Sequence, residues 1–209
     1  MKITVIGTGN MGAAFVKQLT AAGHEVRVTG RDLAKAQALA SQNPGAEAVV
    51  AAVSAIDSTV VILATGYNDA VAALRSVGDV SGKTVIDITN PLTADYMGLT
   101  IGHQSSAAEE IARAVPGADV VKAFNTLFAQ VLADGPAFAN GQRGAVFYAG
   151  DSALAKTTVK SIIDSLGFEA VDAGGLKNAR YLEPLAGLNI YFGYGASRGT
   201  AIAPVWIAK

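Results

Sequence analysis

Short apolar runs rich in β-branched residues alternate along this chain with stretches whose apolar positions recur at helical spacing. Lys2-Ile-Thr-Val-Ile6 is the first run, apolar enough for a strand buried on both faces. Glu25-Val-Arg-Val-Thr29 follows with a cleaner alternation, and a short third strand falls within Ala46 to Val53 ahead of a helical turn. Thr59-Val-Val-Ile-Leu-Ala64 is the most strand-like run of all; Thr84-Val-Ile-Asp-Ile88, Asp119-Val-Val-Lys-Ala123, Ala145-Val-Phe-Tyr-Ala149 and Glu169 to Asp172 complete a set of eight. Between them lie helical stretches. Phe15, Val16 and Leu19 mark the first, and Leu33 to Ser41, Asp69 to Arg75, Leu127 to Leu132 and Ser152 to Leu166 mark others. Ser106-Ala-Ala-Glu109 is a capping box opening a helix to Val115, which Pro116-Gly117 then stops. From Asn178 the pattern is helical again through Leu182, Leu185, Leu188 and Asn189, with glycines at 193, 195 and 199 interrupting it. This βα alternation predicts an α/β fold with a doubly wound, mostly parallel sheet over residues 1–175, and a short helical segment over 176–209.

Composition narrows the classes. The chain has 209 residues, half of them hydrophobic, which is ample for one large core. Net charge is −1 and the pI is about 6.1, so no basic field exists for nucleic acid or anionic lipid. Absence of cysteine excludes disulfides, thiolate-ligated zinc and thiol catalysis, and two histidines, His24 and His103, are too few for a His-rich metal site. The chain begins with a strand rather than a targeting stretch, and no apolar run is long enough for a span. The expectation is a soluble cytoplasmic protein without a membrane or nucleic-acid partner.

The chemistry starts where the first strand ends, at Gly7-Thr8-Gly9-Asn10-Met11-Gly12. Strand, glycine turn and helix in that order form the G-x-G-x-x-G dinucleotide fingerprint of Rossmann-type folds. Gly7 permits the tight turn, Gly9 lets a pyrophosphate reach the backbone, and Gly12 lets helix and strand pack closely. The helix N-terminus offers free N–H groups to the phosphates. At the tip of the second strand, Thr29-Gly30-Arg31-Asp32, glycine stands where an NAD site would place its acid. A guanidinium at Arg31, the Thr29 hydroxyl and a second cation at Lys35 suit the 2′-phosphate of NADP. Asp32 fits the N-cap of the next helix; the alternatives are Asp32 on an NAD ribose, or Arg31 and Lys35 as plain solvated charges.

Further tips add Ala64-Thr65-Gly66-Tyr67, Asn90-Pro91 and Ala123-Phe124-Asn125-Thr126. Tyr67 could cover a cofactor or simply pack. Gly78 to Thr84 imitates a phosphate-binding loop, but its glycines are one residue too close and its strand follows rather than precedes. His24 reads as structural, and His103 as a loop residue within reach of a substrate. No paired carboxylates, nucleophile with a base, or metal cluster accompanies these tips. A nicotinamide without acid/base machinery suits hydride transfer to a ring acceptor, with the protein supplying orientation and a dry contact.

Val120-Val-Lys-Ala-Phe-Asn-Thr126, Gly150-Asp151, Gly174-Gly175 and Asn178-Ala-Arg-Tyr-Leu-Glu-Pro184, with the glycine fingerprint and the Thr29/Arg31 pair, resemble the coenzyme F420-dependent NADP oxidoreductases. The reductase domains of the STEAP metalloreductases are similar in the same segments. The resemblance implies a Rossmann domain, bound NADP(H), F420 or a flavin (FMN or FAD) as a small-molecule acceptor against the nicotinamide, and a homodimer. It makes Thr8 to Gly12, Thr29, Arg31 and Lys35 NADP contacts. Ala64, Thr65, Asn90 and Pro91, with Ala123 and Asn125, would flank the nicotinamide and its acceptor. The acceptor pocket would be shaped by the region around Asn125 to Asn140. Two other readings stand beside it. One is the 3-hydroxyacid or 6-phosphogluconate dehydrogenase group, which needs a long helical second domain and a catalytic lysine; Lys177 is the nearest one here. The other is a non-catalytic NADPH-binding protein. Tyr191, Phe192, Tyr194 and Trp206 would form a dimer contact or core seam, or else stack on the acceptor.

Overall fold

The computed structural model describes residues 1–139 and 141–207. Asn140, the far end of the expected acceptor region, and the last two positions of the 176–209 segment lie outside the described residues. Strands β1 (Lys2–Ile6), β2 (Glu25–Thr29), β3 (Ala46–Ala48), β4 (Val60–Leu63), β5 (Thr84–Asp87), β6 (Asp119–Ala123), β7 (Ala145–Gly150) and β8 (Glu169–Asp172) form one sheet ordered 3-2-1-4-5-6-7-8. Pairings from β3 through β6 are parallel; β7 runs antiparallel to β6, and β8 parallel to β7.

After β6 the chain turns at Phe124, a left-handed residue (φ 61°), and forms the six-residue helix α6 (Ala129–Asp134). It then enters β7 from the tip edge, so that β7 runs antiparallel to β6. The sequence places this helix at Leu127; it begins two residues later because Leu127 N–H closes the turn on the Phe124 carbonyl.

Alternation in the central strands builds two cores. Val60 and Ile62 face one side with Phe15, Val16 and Leu19 of α1 (Asn10–Ala21), Ala36 of α2 (Leu33–Ser41) and Val159 and Ile162 of α7 (Ala153–Ser165). Val61 and Leu63 face the other, packed with Leu74 of α4 (Ala70–Ser76) and Ala108 and Ile111 of α5 (Ala107–Ala114). A short helix α3 (Ala51–Ser54) follows β3. Helix α8 (Ala179–Ile190) joins the second side and runs into a π-helical turn, Tyr191–Gly195, where the glycines break the α pattern.

Three of the resembling segments build the launch of α8. Gly150 N–H donates to the Gly174 carbonyl, Asp151 accepts from Leu176 N–H at 2.8 Å, and the Asn178 amide donates to the Ala173 carbonyl. At the start of α5 Ser106 caps the helix, its Oγ accepting from Glu109 N–H, and the Glu109 carboxylate accepts from the Ser106 hydroxyl.

Candidate dinucleotide site

The parallel tips of β1, β2, β4 and β5 meet at one edge, where the order reverses either side of β1. Ligands of doubly wound sheets bind at such a switch point. Gly7 takes φ 126° there, and a Cβ on it would strike the Ala64 carbonyl oxygen. A Cβ on Gly12 would strike the Gly7 carbonyl oxygen, so helix and loop touch backbone to backbone. Gly9 is different: nothing lies within 4 Å of its would-be Cβ. Gly9 is also the N-cap of α1, no side chain caps that helix, and its first turn holds no acid. Free N–H groups therefore face open space, the setting an anionic pyrophosphate requires.

Two cavities flank this turn. The first, about 370 Å³, is lined by Gly7, Thr8, Gly9, Thr29, Arg31 and Lys35, with Ala64, Thr65 and the small residues of α4 closing the far wall. The second, about 600 Å³, is lined by Gly9, Asn10, Met11, Tyr67, Thr89, Asn90 and Tyr96, among others. Gly9, Ala64, Thr65, Gly66 and Asp69 line both, so the pair forms one groove bent over the glycine turn.

At the first cavity Thr29 is buried, and its hydroxyl oxygen has no partner in the protein. A buried hydroxyl without a partner costs free energy, and a ligand phosphate or ribose hydroxyl would satisfy it. Arg31 extends into solvent with its side chain 91% exposed, 3.6 Å from Asp69 across the cavity. Asp32 caps α2 by accepting from Lys35 N–H at 3.2 Å, as its position predicts. Asp32 also lines the first cavity, and its other carboxylate oxygen lies 4.0 Å from the Lys35 ammonium.

The second cavity differs from the sequence expectation. Ala123 and Asn125 line neither cavity; both are buried behind the wall. Asn125 exchanges hydrogen bonds with Asn90, accepting at its carbonyl and donating to Asn90 Oδ1, both at 3.0 Å, and also donates to the Leu182 carbonyl. Pro91 is buried too, and its carbonyl holds Thr100. These three support the wall that Asn90 presents. Among residues after Asn125, Phe128, Ala129, Gln130 and Ala133 line an adjoining open hollow beside Lys17 and Tyr194, which shares Asn10 with the second cavity. The segment Ile88 to Tyr96 supplies one wall of the second cavity. Tyr67 lies in this wall, its phenol pKa pushed up by burial and then by Glu110, Glu183 and Asp87. It therefore stays a neutral hydrogen-bonding group.

The absence of paired carboxylates near the tips also needs correcting. Asp87 and Glu183 both contact the Lys122 ammonium at 2.8 Å, all three fully or almost fully buried. Composition and spacing carry no sign of this cluster, because its members lie far apart in the chain. The only local clue is a lysine in the middle of an otherwise apolar buried strand, Val120-Val-Lys-Ala123.

His24 sits at the opposite edge, against the Met1 amine and Ser165, with its pKa lowered by burial and by that amine. His103 lines neither cavity; its carbonyl accepts from Arg180. Tyr191 and Tyr194 are more than half exposed, Tyr194 edge-on to Phe128, and neither lines the groove. Among the described residues no cluster of side chains could hold a metal ion, and no helix is long and apolar enough to cross a membrane.

Fold and groove together define a Rossmann-type dinucleotide-binding protein. The profile of the family described as NADP oxidoreductase, coenzyme F420-dependent, matches residues 2–91. The F420-dependent NADP reductase of Methanothermobacter marburgensis is 32% identical, over 91% of each chain. Metalloreductase STEAP3 of Rattus norvegicus is 30% identical over 88% of this chain, which spans only 36% of that protein's length. The crystal structure of a candidate F420-dependent NADP reductase from Arthrobacter superposes with a TM-score of 0.85 at 31% identity, covering 96% of both chains. The chain belongs to the F420-dependent NADP reductase family, and so to the NADP-dependent oxidoreductases.

Proposed function

We propose that this chain binds NADP(H) along the bent groove and transfers a hydride between its nicotinamide and a tricyclic ring acceptor, F420 or a flavin. The observation that carries the reading is the division of the groove. A cation and an orphan hydroxyl, Arg31 and Thr29, support reading the first cavity as the adenosine 2′-phosphate end. The glycine turn takes the pyrophosphate, and the nicotinamide then falls in the second cavity, with room left for a flat acceptor. Hydride transfer between two rings needs no general acid in the protein; it needs the rings held face to face and water kept out. The residues that fit this role are Gly9 to Met11 and Thr65 on one side and Tyr67, Thr89 and Asn90 on the other.

The dehydrogenase reading is less favoured. Lys177, its candidate lysine, lies in the 3-10 turn before α8 and lines neither cavity. The test is spectrophotometric: protein and NADPH are mixed in turn with F420, FMN, FAD and small carbonyl acids. Turnover with F420 or a flavin is expected. Turnover with a carbonyl acid alone would favour the dehydrogenase reading, and tight NADPH binding without turnover would favour a binding protein.

The working unit we propose is a homodimer in the cytoplasm. Leu188, Tyr191 and Tyr194 stand more than half exposed on α8 and its π turn, with Met97 of the groove-rim loop against Gly195. Such a patch favours burial against a second copy. Light scattering should then return twice the 21.2 kDa of one chain.

A further inference from the structure

Asp87 and Lys122 are direct cross-strand partners of β5 and β6. Lys122 donates hydrogen bonds to Asp87 Oδ2 at 2.8 Å and to the Thr89 carbonyl at 2.6 Å, and its ammonium forms an ion pair with Glu183 Oε1 at 2.8 Å. The other Asp87 oxygen accepts from Thr89 N–H at 2.8 Å. Both backbone polar groups of Thr89 are thus held by one ion pair. Glu183 in turn accepts from Ala107 and Ala108 N–H at the start of α5, which ties α8, α5 and the sheet to the same point. A buried ionic cluster of this kind is weak evidence for stability, since apolar packing of equal volume does as well. Its geometry does something else here. Thr89 belongs to the wall of the second cavity, it is 3% exposed, and its hydroxyl oxygen has no partner in the protein. The neighbouring wall residue, Asn90, has its amide committed to Asn125.

We infer that Lys122 is a positioning residue: with Asp87 and Glu183 it fixes Thr89 so that the Thr89 hydroxyl hydrogen-bonds and orients the nicotinamide half of the bound dinucleotide. The inference rests on the proposed placement of nicotinamide in the second cavity. The amide of the nicotinamide ring offers both a donor and an acceptor, and a hydroxyl can answer either. A group locked at both backbone atoms loses little freedom on binding, which is what orientation of a ring for hydride transfer requires.

The experiment compares two ligands by calorimetry on the full chain: NADP⁺, which reaches both cavities, and 2′,5′-ADP, which carries only the adenosine half. Thr89→Val should weaken NADP⁺ about threefold to tenfold, the worth of one neutral hydrogen bond, and leave 2′,5′-ADP unchanged. Thr89→Ser should restore the wild-type ratio. Lys122→Met should produce the same split, and Glu183→Gln, which removes the charge paired with Lys122 and leaves one oxygen instead of two to accept from the start of α5, a smaller one. If Lys122→Met does not fold, Glu183→Gln decides the part played by Lys122. Unchanged NADP⁺ affinity in Thr89→Val, or equal loss of both ligands, overturns the inference, as does an unchanged ratio in the folded Lys122 or Glu183 variant. A wild-type chain that binds neither ligand rejects the dinucleotide reading itself.

Discussion

Gly9 and Gly12 are three residues apart in one motif, yet their substitutions should fail for different reasons. A methyl group on Gly12 meets the Gly7 carbonyl, and backbone cannot step aside. Gly12→Ala should therefore lower the melting temperature markedly and impair folding. Gly9→Ala adds a methyl group into open space, so thermal stability should stay at the wild-type value, while NADPH affinity falls because the methyl occupies the pyrophosphate's approach. Melting curves with and without NADPH separate the two. Arg31 makes a third case. It is almost fully exposed and holds only a surface contact with Asp69, so Arg31→Ala should not change stability. A charge-assisted hydrogen bond to a 2′-phosphate is worth about 1.5–3 kcal/mol, which predicts NADPH binding weakened about tenfold to hundredfold with NADH nearly unaffected. Fluorescence titration with both dinucleotides checks it; equal losses would remove the phosphate from Arg31. Residues such as these were readable because their roles depend on near neighbours in sequence: a turn, a helix start, a cap. Thr89 and Lys122 were not readable, because what they do depends on partners at Asp87 and Glu183 that only strand pairing and α8 packing bring near.

Helices α5 and α8 are joined at two levels. Inside, Glu183 meets the first N–H groups of α5; nearer the surface, Arg180 donates two hydrogen bonds to the Glu109 carboxylate, at 2.8 and 2.7 Å. The Arg180 bonds hold the Glu109 pKa below its ordinary value of 4.5, with Ser106 adding to the shift. A carboxyl depressed in the folded state contributes stability that is complete above the unfolded pKa and is lost as pH falls through the folded one. Thermal stability should thus drop below about pH 4.5 through this pair, and Arg180→Gln should flatten that part of the profile while lowering stability at pH 7. Melting temperatures from pH 3 to 7 for both proteins test it; parallel profiles would show that the pair carries no linkage. All eight strands and the main helices were legible from periodicity, capping and glycine stops, because each signal is local. The antiparallel entry of β7 was not. Nothing within Ala145–Gly150 records its direction, which is set by the path the chain takes between Phe124 and Ala145.

The whole molecule depends on the segment after residue 175 more than an appendage would suggest. Residues 1–175 contain every strand of the sheet, and the alternation of pattern makes them look self-sufficient. Yet α8 supplies Glu183 to the buried Lys122, its Leu182 carbonyl to the Asn125 amide, and the Asn189 amide to the Thr126 carbonyl. It also covers the apolar surface of Ala145, Phe147 and Ala149 with Leu182. Removing α8 would leave Lys122 with one carboxylate in place of two, an Asn amide without its acceptor, and a bare sheet face beside them. Breaking one side of a buried ion cluster costs about 3–5 kcal/mol, a large share of the roughly 5–15 kcal/mol that keeps a domain folded. A chain truncated after residue 175 should therefore lose cooperative urea unfolding and bind the apolar dye ANS, while the full chain unfolds in a single transition. Supplying α8 in trans, as a peptide covering 176–207, should partly restore the transition if the loss is one of contacts. A truncated chain that unfolds cooperatively at the full-length midpoint would show instead that the sheet stands alone, and that the ionic link at Glu183 shapes the groove without holding the fold.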